Sequence, residues 1–558
     1  MNLTIFIASY FLIISSVIGY GLFFNFVIGK NLNLKIEYNL LGSLLFLISL
    51  SYFTHFFFKH DYFHNLIILI TGLIFFFYFI LKKNLPKNYI LIIFIIFSFL
   101  LICYFSAKPH DDFPYYHFPY TYYLNQNNLV IGVGNLNHGF RTPSSIFYLN
   151  SLFYLPLIKY NSFHISSIIF MGLSNLILIL KLNSDYKNNK IDYIFFLSLL
   201  SLLFINIFFY RISEHGTDRS AQILIFILFI ELLSLCRTKI NFKNVLTNII
   251  LLVGLTISLK AFYVLYVLII FPIIYILIKY KINFKELFLS LLKNIYFYFL
   301  IILFFLLIIT NLLNTGCLIY PVKLSCSNYF DWSLINQAVL MNDWYELWSK
   351  AGANPNFRVD NPDEYIKNFN WVLNWIDSYF FNKVSDFLLG LILLITIVFF
   401  IFYTKNKNKI FVDKKIFPIV LLILILFAEW FYNHPSLRYG GYALLALILF
   451  IPFSIIISRF RLKENFKKKF IILILISTII FFGRNISRLN NEIKQYEYSF
   501  LNPFYNLGNT HFRIDTLLKD AKKKYLICID KNIETCKYSE GSAIYKKNNY
   551  FVIKLIDK

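Results

Sequence analysis

Charge is scarce in this sequence. Of its 558 residues 15% are Asp, Glu, Lys or Arg, against about 25% in soluble domains. Acids are scarcer still, 29 against 53 Lys and Arg, for a net charge of +24. Glycine and proline are few, 19 and 14, beside a wealth of Phe, Ile, Asn and Lys. That bias reads as an AT-rich genome, so part of the aromatic content is mutational drift. What fills the space is apolar: 58% hydrophobic residues, 66 of them Phe, and a mean hydropathy of +0.63. No water-soluble core buries that excess. A multi-pass membrane protein is the class that remains.

A spanning helix needs about 20 apolar residues. Fourteen segments qualify, at 4–29, 39–57, 65–81, 89–106, 162–180, 191–209, 219–236, 244–259, 261–279, 287–311, 386–404, 416–433, 440–458 and 469–483. The first lacks the basic flank and the small-residue cleavage site of a signal peptide. Segment 145–158 is apolar but short, and it holds Asn150 and Pro156. It reads as a re-entrant or interfacial helix rather than a fifteenth span.

The excess of positive charge raises the question of nucleic acid, and its placement answers it. With Met1 outside, the alternate loops expected to face the cytoplasm carry 26 Lys and Arg, whereas the short outer loops carry 8. That asymmetry is the positive-inside pattern. It sets both termini on the periplasmic side of a bacterial inner membrane, with membrane lipids and no nucleic acid as partners.

Cysteine is limited to six residues. Cys103 and Cys236 fall within spans as small apolar residues. Cys317 with Cys326, and Cys528 with Cys536, flank short loops on the outer side, where disulfides persist. No CxxC spacing is present, and zinc would want four ligands.

Polar residues just outside spans are where chemistry is expected. After the fourth segment come His110, Asp111, Asp112 and His117, set among Tyr and Pro. Adjacent Asp side chains share a pocket only on an irregular loop. There they can hold a divalent cation such as Mg or Mn, with Asp111, Asp112 and His117 as the candidate ligands. The plainer reading is an N-cap for a helix starting at Pro114. A Gly-rich stretch follows with His138 and Arg141. It lacks the Lys of a Walker loop and the flanking strand of a dinucleotide fingerprint. Arg211, Glu214, His215, Asp218 and Arg219 crowd the loop between the sixth and seventh segments, where pairing among themselves is the simpler reading. Lys260 and Arg438 are lone cations at outer span ends. Each suits a lipid-linked phosphate or snorkelling to headgroups.

From Asp111-Asp112 onward the chain resembles the GT-C superfamily of integral-membrane glycosyltransferases, which place acidic residues in the first outward loop of their core. It is most similar to a bacterial group of large membrane proteins classed near them. The similarity continues through Asn135, His138, Ser144-Ser145, Lys260, Tyr320-Pro321, Asp331-Trp332 and Arg438-Tyr439, in that order. The family's usual step before the double Ser is replaced by Phe140-Arg141-Thr142-Pro143.

The resemblance implies an all-α polytopic fold of about fourteen transmembrane helices. Residues 1–88 are three additional N-terminal spans. Residues 89–483 are a GT-C-like core with outer loops 107–160 and 313–384, and residues 484–558 are a small α/β periplasmic domain. It implies transfer of a hexosyl or pentosyl group from a polyprenyl-phosphate donor to a glycan, lipid or protein acceptor in cell-envelope assembly. Asp111 or Asp112 is the expected base. His117, His138, Arg141, Glu214, His215, Lys260 and Arg438 are expected to bind substrate.

The rival readings are a flippase or transporter of lipid-linked glycan and an O-antigen polymerase or ligase. The acids lie outside the spans and no internal repeat is present, which argues against the transporter. Five of the six Trp lie in 313–384, in two i,i+4 pairs, Trp344/Trp348 and Trp371/Trp375. These read as amphipathic helices lying on the membrane, or else as stacking surfaces for sugar. In the tail, Lys524–Asp530 and Tyr550–Ile556 read as strands, with a turn at Asn548-Asn549.

Overall fold

The computed structural model describes residues 3–32, 35–82, 86–107, 110, 112–237, 242–354, 357–405, 413–460, 465–499, 513–531, 533, 536–539 and 542–555. The chain is mostly α-helical. Among the described residues eleven helices are long and apolar enough to cross a membrane, and three shorter apolar helices lie at Lys87–Cys103, Tyr193–Phe208 and Gly441–Ile457. Each of the fourteen apolar segments overlaps one of these helices, 287–311 only in part. A backbone in lipid has no water to satisfy its polar groups, so apolar runs of this length become helices. The protein is a multi-pass membrane protein.

Burial separates centre from rim. Helices Tyr160–Lys187 and Gly216–Arg237 are each 89% buried along their most apolar stretch, against 17% for Tyr62–Leu81. The exposed Phe63, Ile74 and Phe77 of that outer helix are therefore the surface that meets acyl chains. At the N-terminal edge, Leu3–Leu32 and Tyr62–Leu81 approach through Gly19 and Gly72. A Cβ on Gly72 would lie 2.1 Å from Ser16 Oγ and 2.6 Å from Ser16 O. Small residues let helix backbones meet this closely in a membrane.

The structure corrects three expectations. The run 287–311 is not one span. It divides into Phe284–Leu292 and Ile295–Thr315, because Asn294 caps the second helix by accepting from Tyr296 N. The stretch Lys524–Asp530 is the last part of a helix, Arg513–Asp530, and not a strand. The Trp371/Trp375 pair does not lie on a surface. Both rings are buried, packed on Phe431, and Trp375 Nε1 donates to Pro435 O at 2.9 Å.

Segment 145–158 becomes a seven-residue helix, Ser145–Ser151, buried throughout and too short to cross. Ser144 caps it and also donates to Leu259 O at 2.6 Å. The disulfides Cys317–Cys326 and Cys528–Cys536 form, and Cys103 and Cys236 stay reduced and buried. The final apolar helix, Phe466–Tyr496, runs well past residue 483. Its buried Arg488–Glu492 pair (2.8 Å) holds the loop after Cys103: Arg488 donates to Ile102 O and Phe105 O, and Ala107 N donates to Glu492.

The tail does not make its sheet alone. The order is β1 (Val130–Ile131), β4 (Tyr550–Leu555), β3 (Ser542–Lys547), β2 (Cys536–Ser539), with β1 parallel to β4 and the rest antiparallel. Asn135 Nδ2 donates to Ile553 O at 2.9 Å and Lys522 Nζ to Asn127 Oδ1 at 2.9 Å. The tail is thus stitched onto the loop that carries Asp112.

Replacing Gly72 by Ala forces Ser16 and its helix to move, and we expect a loss of about 1–3 kcal/mol. Gly483→Ala is the control, because nothing lies within 4 Å of a Cβ there. Thermal unfolding in detergent should show a lower midpoint for the first variant and no drop for the second.

Candidate functional site

Four separate helix ends converge on one buried ion network. Asp112 ends the loop that Arg488 and Glu492 hold, just before a π-helical turn, Phe113–His117, that has Pro at its start. Asp218 is in the first turn of Gly216–Arg237. Lys260 is the extended residue (φ −158°, ψ 129°) between Phe242–Leu259 and the 3-10 helix Ala261–Ile269. Arg438 sits in the tight turn Leu437–Tyr439, which ends on Gly440 at φ 113°. Gly440 reaches that left-handed conformation because it carries no Cβ.

The turn around Arg438 is fixed from several sides. Gln222, one helical turn after Asp218, donates to Leu437 O and Arg438 O and accepts from Ala443 N at 3.0 Å. Leu437 N donates to Tyr379 OH at 2.9 Å, and Trp430 Nε1 donates to Ser436 O at 2.8 Å. The backbone has little freedom, so the guanidinium is aimed.

Arg438 Nη2 donates to Asp112 Oδ2 at 2.5 Å and Nε to Asp218 Oδ2 at 3.0 Å. Lys260 Nζ donates to the other Asp218 oxygen. Two cations and two carboxylates close the count of charge. His110 Nδ1 lies 3.9 Å from Asp112 Oδ2, and its ring meets His215 edge-on at 4.4 Å. Aromatic rings wall the cluster. Arg438 stands 5.6 Å from the Trp348 ring and Lys260 4.8 Å from the Tyr439 ring, which stacks on Phe262.

Burial by itself would raise the Asp112 carboxyl, but the Arg438 guanidinium outweighs it and holds the group well below the usual carboxylate range. Burial pushes the His117 imidazole down to about 3. It also lowers His110, against the pull of Asp112, and lowers His215. Lys260 is lowered by burial, with Asp218 opposing. Arg438 is raised, because Asp218 and Asp112 overcome its burial.

The remaining sequence candidates divide. Asp111 lies outside the described residues. Glu214 is buried and paired with Arg211 (Nε to Oε1, 3.0 Å), as pairing within its own loop would have it. It lines a small cavity with His117. His138 Nδ1 meets Tyr115 OH at 3.0 Å, with the Trp344 ring 5.9 Å away. Arg141 is committed elsewhere, donating to Gly134 O at 3.2 Å and to Tyr320 OH at 3.0 Å. Among the described residues no group of three or more His, Cys, Asp or Glu can hold a metal ion. Of the candidate ligands, Asp112 and His117 are described and Asp111 is not.

Sequence reading undervalued Asp218, because its loop neighbours offered nearer partners. The available signal was an acid in the first turn of an apolar helix, facing two lone cations at other helix ends.

The chain belongs to the family described as Domain of unknown function (DUF8201), whose model matches residues 1–445. No curated protein and no solved structure matches it. The family match takes in Asp112, Asp218, Lys260 and Arg438, and it ends before the C-terminal tail.

Asp218→Asn leaves Lys260 and Arg438 sharing one carboxylate. Removing one partner of a buried pair strands charge, so we expect a loss of about 2–4 kcal/mol, read as a lower unfolding midpoint. Acid should act through His117. An unfolded imidazole takes its proton near pH 6.5, whereas the folded one resists to about 3. Stability therefore falls as pH drops through that window, and His117→Gln should make the fall from pH 7 to pH 4 shallower.

Proposed function

We propose that this protein transfers a sugar from a polyprenyl-phosphate donor to an acceptor hydroxyl at the periplasmic face of a bacterial inner membrane. It has a GT-C-like core of about fourteen spans, and both termini lie outside. The 26-to-8 asymmetry of Lys and Arg between alternate short loops supports that orientation. The carrying observation is the buried network in which Asp112 shares Arg438 with Asp218, beside Lys260.

Arg438 and Lys260 are the phosphate clamp, held in place by Asp218 before substrate arrives. An anionic donor phosphate competes with Asp112 for Arg438. Once that contact loosens, the Asp112 carboxylate rises toward the ordinary range and becomes a usable base. It takes the acceptor's hydroxyl proton while the acceptor oxygen bonds to the anomeric carbon. The bond from that carbon to the phosphate oxygen breaks, and the electron pair leaves on the lipid phosphate, where Arg438 and Lys260 stabilise it. Trp344, 38% exposed and stacked on Trp348, offers an aromatic face beside this centre.

Asp112→Asn should lower transfer by about 10²–10⁴-fold in membranes that contain the inserted variant, with surface glycans of the producing cell as the readout. Asp111→Asn, made separately, shows whether the neighbouring carboxylate shares the task. Unchanged glycans with both variants inserted would refute the proposal.

A further inference from the structure

Next to the ion network is a cavity of about 20 Å³, enough for a group about the size of one water. It lies among the π-helical turn, the Ser145–Ser151 helix and the first turns of Tyr160–Lys187 and Gly216–Arg237. Its polar lining is acceptor-rich. Thr121 gives its hydroxyl hydrogen to His117 O, Ser167 gives its own to His164 O, and Ser213 gives its own to Cys103 O, so the three oxygens remain as acceptors. Glu214 adds a buried carboxylate and Thr217, next to Asp218, a further hydroxyl.

His117 is 7% exposed, and its Nε2 has no hydrogen-bond partner among the described residues. A buried imidazole nitrogen left open on a cavity marks the place of a missing partner. Asn150 and His164 add further polar groups, and Phe113, Phe147, Phe163 and Ile146 supply an apolar side. A lone water would leave that side unfilled. A short arm with a carbon and a hydroxyl suits both sides: the carbon lies against the rings, and the hydroxyl donates its one hydrogen to one of the acceptors and faces His117 Nε2.

We infer that this cavity takes the exocyclic hydroxymethyl arm of a hexose, which makes His117, Thr217 and Glu214 the residues that choose hexose over pentose. The inference rests on the sugar-transfer reading, and it deepens that reading by naming the class of sugar.

The test uses the full chain in nanodiscs, because glycoside detergents would fill the site. Saturation-transfer NMR compares D-glucose with D-xylose, which lacks the hydroxymethyl group. A site built for a hydroxyl should bind glucose at least about tenfold more tightly. Thr217→Val keeps the shape and removes the hydroxyl, and it should weaken glucose by about fivefold while leaving xylose unchanged. Equal affinity for the two sugars, or no saturable sugar signal, overturns the inference and leaves the cavity to a structural water. A parallel arm follows a short polyprenyl phosphate by thermal shift, with Arg438→Ala as the control. If the lipid phosphate stabilises the wild type and not the control while the sugar arm fails, the hexose pocket alone is wrong. If the lipid arm fails as well, the transfer reading falls with it.

Discussion

One guanidinium, that of Arg438, is held between carboxylates contributed by two distant parts of the chain. Asp112 comes from a loop and Asp218 from the first turn of a central helix, and Lys260 completes the set from a third connection. In so apolar a protein an unpaired charge at this depth is expensive. The helix ends can therefore take few arrangements that keep all four groups matched. Gln222 turns that electrostatic demand into backbone geometry, since one side chain ties the Arg438 turn to the helix that carries Asp218. The same pairing restrains chemistry. While Arg438 holds Asp112, the carboxylate is charged but weakly basic.

The membrane made most of the fold legible. Long apolar runs have a single solution in lipid, and each of the fourteen segments of the sequence overlaps a helix. The failures fall where local signals compete. The run from residue 287 to 311 is apolar on both sides of Lys293-Asn294, and its total length suits one span, so the Asn cap at 294 was passed over. The Lys524–Asp530 run suits a strand by composition, yet the stretch before it is helical and carries it along, with Cys528 bonded to the following strand. Trp371 and Trp375 have the spacing of a surface helix, but their rings are claimed by Phe431 and the carbonyl of Pro435.

The candidate site was legible in its parts and not in its assembly. Asp112, Lys260 and Arg438 are conspicuous as polar residues at span ends, and they do meet. Asp218, which joins them, was hidden by the apparent sufficiency of its own loop, where Arg211 and Glu214 in fact pair with each other. Arg141, a cation in a Gly-rich loop, stands apart from that network, and its guanidinium ties residues 134 and 320 together. Sequence shows which side chains are unusual, and only packing shows which of them are free.

The pairing of β1 with β4 has a consequence for how the protein comes to be made. Val130 and Ile131 belong to the loop that carries Asp112, and their partners, Phe551 and Val552, lie in the last strand of the sheet. The early loop therefore stays an unfinished edge until that strand has been made. A chain cut short of it would keep its helices and lack the seam, so this part of the fold waits on a segment synthesised long after the loop itself.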